Sequence, residues 1–131
     1  MKTKLQHELA TVAPSISIRT IWEHDPDCLD IRKDCDGMDD ENPEDWQAWQ
    51  SEIRATAIHN GDEISGSDYL GGTWEKAGDV PEESNPDVSG YEPDMTIRAL
   101  EELRHLCAAP HIQGEIVAAL EYLNRRNERA A

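Results

Sequence analysis

A chain of 131 residues is enough for one domain, and a domain of that size buries roughly two-thirds of the surface its unfolded chain exposes. Its 28 aspartates and glutamates outnumber 12 lysines and arginines, leaving a net charge of −16; a field of that sign repels DNA, RNA and anionic lipid and attracts basic protein surfaces. Direct nucleic-acid binding is the function class this excludes first.

The longest apolar stretches are a few residues, far below the roughly 20 that cross a bilayer, and the first residues lack the apolar run of a secretory signal, so a cytoplasmic protein with no membrane partner is expected. Cys28, Cys35 and Cys107 form no disulfide framework and suit a reducing compartment. The acidic excess is concentrated: from Trp22 to Asp94 there are 22 acids against Arg32, Lys33, Arg54 and Lys76.

In chain order, residues 1–13 carry Leu5, Leu9 and Val12 at helical spacing, with Pro14 as a stop. Ser15 to Glu23 alternates, Ile16, Ile18, Thr20 and Trp22 against Ser17, Arg19, Ile21 and Glu23, which predicts a half-buried strand. His24 to Asp45 has no apolar period and predicts a long acidic loop with at most one helical turn. Asn42-Pro43-Glu44-Asp45 has the chemistry of a helix start.

Trp46, Trp49 and Ile53 fit a helical stripe, whereas Ile53, Ala55 and Ala57 alternate with their neighbours. Asn60-Gly61 decides between them, because a type I′ hairpin turn needs positive φ at both central residues. A strand over about 49–59 returning through 62–75 is predicted, bent or bulged near Gly66, Gly71 and Gly72. A second acidic loop at 77–93 precedes a helix capped by Asp94, with Ile97, Leu100, Leu103, Leu106 and Cys107 as its stripe and Pro110 closing it. His111 to Arg129 forms another helix, with Ile112, Ile116, Leu120 and Leu123 inward. The sum is a single α+β domain over 1–131, a small antiparallel sheet of about three strands packed against a C-terminal helical hairpin, with acidic loops at about 24–45 and 77–93.

The segment from Trp46 through Trp49, the run Gly66-Ser67-Asp68-Tyr69-Leu70-Gly71-Gly72-Thr73-Trp74, and the helix led by Asp94-Met95 together resemble a group of small proteins encoded by bacteriophages, prophages and plasmids. The likeness spans roughly residues 46–107. That group carries no established activity, so the resemblance transfers no catalytic residue. It implies a mobile-element origin, where small acidic proteins often inhibit host defence, as anti-CRISPR and anti-restriction proteins do. From the residues themselves, the Gly71-Gly72 pair reads first as a bulged core strand beside Tyr69, Leu70 and Trp74, ahead of a ligand loop.

The carboxylates Asp25, Asp27, Asp30, Asp34, Asp36, Asp39, Asp40, Glu41, Glu44 and Asp45, with a second group at Asp79, Glu82, Glu83 and Asp87, can stand where phosphates would sit in a basic channel. The competing reading is a solvated loop that confers solubility. An EF-hand registered on Gly37 fails, because Arg32 and Pro43 take its first and twelfth positions. His24, Cys28 and Cys35, or His105, Cys107 and His111, lack zinc-finger spacing, and Cys107 reads as a core residue. No serine motif, phosphate loop or dinucleotide fingerprint selects a catalytic set.

Four tryptophans and no phenylalanine make Trp22 and Trp74 candidates for the core and Trp46 and Trp49 candidates for partner contact. The expected function is a non-enzymatic acidic inhibitor that needs no cofactor or metal and mimics nucleic acid on the basic surface of a nucleic-acid-binding defence complex. Two alternatives are a phage accessory or structural protein that forms a homodimer or docks through Trp46 and Trp49, and a small metal-dependent enzyme.

Overall fold

In the computed structural model, which describes residues 2–130, the elements run α1 (Lys4–Val12), β1 (Ser17–His24), α2 (Ile31–Asp34), β2 (Trp46–His59), β3 (Asp62–Lys76), α3 (Pro81–Ser84), α4 (Glu92–Leu106) and α5 (Pro110–Ala130). The strands form one antiparallel sheet in the order β1-β2-β3. The fold is thus α+β, with the helices on one face of the sheet: α4 lies across β2 and β3, α1 lies beside β1, and α5 packs against α4 and α1.

Local chemistry sets most of these elements. Thr3 and Gln6 close a capping box on α1. Asn60 and Gly61 stand at φ 54° and 82°, the positive pair a type I′ turn demands, and the hairpin they close pairs β2 with β3 along almost its whole length. Period-two alternation sends Ile53, Ala55 and Ala57 to the helices together with Ile16 and Ile18, and all five are buried.

Small residues let α4 approach the sheet closely. Gly66 pairs with Ala55, and a Cβ at Gly66 would collide with the Ala99 carbonyl oxygen and the Leu103 amide nitrogen of α4. Backbone meets backbone there, so side-chain rearrangement cannot relieve the collision.

Several expectations need correction. Asn42 does cap a turn led by Pro43, but it is a single 3-10 turn over Pro43–Asp45 that delivers the chain into β2 three residues before the predicted 49, because Trp46 already pairs with Lys76. Helix α4 begins at Glu92 after Tyr91, so Asp94 lies in its first turn and does not cap it. Its buried stripe is Met95, Thr96, Ala99, Leu100, Leu103 and Cys107, while Leu106 is 55% exposed and Ile97 half-buried. Spacing of three drifts around a helix of 3.6 residues per turn, so Ile97 and Leu106 diverge to opposite sides of the stripe. Pro110 does not close α4, which ends at Leu106; it opens α5, where its missing N–H costs nothing.

The inward residues of α5 are Ile112, Ile116, Ala119 and Leu123, with Leu120 half-buried at the margin. Trp22 flanks the core and Trp74 is half-buried outside it, so neither fills the interior; aliphatic and alanine side chains do that. Of the residues beside the glycine pair, Tyr69 is 59% exposed, whereas Leu70 packs against the core.

Candidate functional site: an acidic pole

In an antiparallel meander the end of β1, the start of β2 and the end of β3 lie at one edge. His24 pairs with Trp49, and Trp46 pairs with Lys76. Both acidic loops, following β1 and following β3, therefore leave from the same pole of the sheet.

The larger loop is anchored through the glycine pair. Between Trp49↔Thr73 and Ser51↔Leu70 the register slips, so Gly71 and Gly72 on β3 stand opposite Gln50 alone, a β-bulge. Gly72 takes φ 67°, and its N–H donates to Asp25 Oδ2 at 2.7 Å. The other Asp25 oxygen, Oδ1, accepts the Asp27 N–H at 3.0 Å, and the Asp25 N–H donates to the Ala48 carbonyl at 3.1 Å. The Gly72 hydrogen bond and then the Asp27 one hold the Asp25 carboxyl below the usual range.

Further along, Ile31 is 1% exposed yet lies outside the main core cluster, so the loop carries its own apolar anchor. Asp30 caps α2 and forms an ion pair with Arg32, whose hydrogen bonds bring its pKa down to about 2. Asp34 Oδ2 accepts from the Leu29 and Asp30 amides. Glu41 accepts from Trp46 Nε1 at 3.1 Å, and the Ala77 N–H closes onto the Asp45 carbonyl at 2.8 Å, joining the two acidic loops.

The ten carboxylates singled out in the first loop thus divide. Asp25 is 6% exposed and serves as an internal brace, so it cannot meet a partner. Asp30, Asp34 and Glu41 do local work. Asp27, Asp36, Asp39, Asp40, Glu44 and Asp45 are exposed and make no ion pair among the described residues. Two of the three arginines of α5 point their charge elsewhere, Arg125 to Glu121 and Arg126 to Glu8.

The two tryptophans proposed for contact do not share a face. Three positions apart on a strand, Trp46 and Trp49 fall on opposite sides of the sheet, where a helix would have aligned them. Trp46 is held by Glu41 and by Lys76, whose Nζ lies 5.8 Å from the ring centroid. Trp49 packs edge-on against His24 at 4.4 Å, with its Nε1 buried and unpartnered in the structure.

Burial and the charges of Asp25 and Asp34 push the Cys28 thiol up, which keeps it protonated and poorly nucleophilic. Cys107 is buried in the core, and His105 and His111 are exposed. Among the described residues no three His, Cys, Asp or Glu side chains gather at metal-binding distance, and no helix is long and apolar enough to cross a membrane.

Sequence reasoning missed the link between the glycine pair and the acidic loop. The signal was the Asp25-Pro26-Asp27 turn, whose first carboxylate bonds backbone two residues on and leaves an oxygen for a second donor. Together these features define a small α+β protein that presents carboxylates on a braced loop. Comparison with protein-family models finds no match, and comparisons with curated proteins and with solved structures find none either.

Proposed function

We propose that this is a non-enzymatic binding protein whose acidic pole occupies a cationic, nucleic-acid-binding surface of another protein. One observation carries the reading: the exposed carboxylates of 27–45 sit on a loop braced by Asp25 to the Gly72 backbone, so they form a held array rather than a loose tail. A basic channel built for about one phosphate per 1.7 Å of duplex axis accepts such an array when its charges are held in place, because the ordering entropy is already spent within the fold. The second acidic loop at the same pole extends it. The likeness to phage and plasmid proteins points to a host defence nuclease as the partner class.

The test is inhibition of DNA cleavage by restriction and RNA-guided nucleases across a salt series. Inhibition is expected to fade as salt rises and to be competed by duplex DNA. Replacing Asp36, Asp39 and Asp40 by Asn should weaken it at least tenfold, each lost charge pair at a desolvated contact being worth on the order of 1 kcal/mol. Replacing the exposed Glu101 and Glu102 of α4 by Gln should leave it unchanged. Inhibition that ignores both salt and the triple substitution would overturn the reading.

A further inference from the structure

The helix-side face of β1 outruns its cover. Ile16 and Ile18 are 4% exposed, yet Thr20 and Trp22, next on the same face, are only half-buried. Beside Thr20 and Trp22 lies a cavity of about 410 Å³, within the range of small-molecule sites. Trp22 and Pro86 give it an apolar wall. Lys2 and Lys4 line it from the N-terminal side, and Glu82 and Glu83 from α3. None of these four charged side chains has an ion-pair partner among the described residues.

The back of the cavity is fixed. Gln6 Nε2 donates to Thr20 Oγ1 at 2.9 Å, and Thr3 Oγ1 donates to Glu92 Oε2 at 2.6 Å, tying α1 to β1 and to α4.

We infer that this cavity binds a small zwitterion with an apolar body, the chemistry of a free aromatic α-amino acid. A carboxylate meets Lys2 and Lys4, an ammonium meets Glu82 and Glu83, and the apolar side chain covers the exposed part of the Trp22 indole. A purely anionic or purely cationic ligand would satisfy one bank and face like charge on the other. The cavity shares Glu82 and Glu83 with the second acidic loop, but its readout at Trp22 is separate from nuclease inhibition, so either reading can fail without the other.

The test is titration of the ¹⁵N-labelled protein with L-phenylalanine, following the four indole N–H resonances, with Trp22 assigned by Trp22→Phe. Saturable movement of the Trp22 resonance is expected with a dissociation constant on the order of a millimolar. Phenethylamine and 3-phenylpropionate, each lacking one charge, should bind about tenfold more weakly. The double variant Glu82→Gln/Glu83→Gln alters only exposed side chains and should weaken phenylalanine by a similar factor. Absence of saturable movement at Trp22 up to about 20 mM, equal binding of either one-charge analogue, or unchanged affinity in the double variant overturns the inference.

Discussion

Asp25 and Glu92 are both nearly buried carboxylates, and they act on stability with opposite signs. Asp25 is stabilised as the anion by the Gly72 and Asp27 amides, so its folded pKa lies below the ordinary value of 3.8. Its contribution is fully present above that unfolded value and is lost as the pH falls through the lower folded one. Asp25→Ala should cost about 2 kcal/mol at pH 7, as for a charge-assisted hydrogen bond, and the deficit should shrink in urea unfolding at pH 3. Glu92 is pushed up from 4.5 chiefly by burial, against a smaller opposing effect from the Thr3 hydroxyl. Its proton is held more tightly in the fold, so stability falls as the pH rises from 4.5 through the folded value. Glu92→Gln keeps an acceptor for Thr3 and removes the charge. Its thermal midpoint should match or exceed the parent's at pH 7, with the advantage gone below pH 4.5 in a series of melts. A lower midpoint at pH 7 would mean that the Thr3 contact outweighs the cost of burial.

At the scale of elements, the seat of α4 on β3 is decided by one missing methyl group. Gly66→Ala forces the Ala99 and Leu103 backbone away from the sheet and should cost about 3 kcal/mol, at the upper end for overpacking. Gly114, in α5, has nothing within 4 Å of the same atom. Gly114→Ala should therefore stabilise by about 0.7 kcal/mol through helix propensity alone. Chemical denaturation of the two variants side by side checks both, and a destabilising Gly114→Ala would show that α5 is more tightly packed there than it stands. The hairpin was legible in the sequence because Asn60-Gly61 states its own dihedrals. The stripe of α4 was not, because a run of leucines at spacing three offers two faces, and only the approach to Gly66 selects one of them.

The whole molecule carries its charge asymmetrically, with two acidic loops at one pole and the five ion pairs among the described residues mostly elsewhere. Like charges crowded at that pole destabilise the fold through self-repulsion. Raising sodium chloride from 0.01 M to 1 M shortens the screening length from about 30 Å to about 3 Å, so the thermal midpoint should rise with salt. A midpoint that falls would show that ion pairs such as Arg54–Glu52 outweigh the repulsion.

By itself the sequence determined the longer elements to within a few residues, the antiparallel hairpin and the acidic balance, because turn dihedrals, period and charge act within a few residues, whereas the short helix Pro81–Ser84 inside the second acidic loop was not legible. Only the tertiary structure decided that Asp25 braces Gly72 across 47 positions and that Thr3 meets Glu92 across 89. It likewise put Trp46 and Trp49 on opposite faces and left Trp22 half-covered above a charged cavity. Partners so far apart along the chain are selected by packing, in which every backbone donor near the core must find an acceptor and every close approach must find a residue small enough.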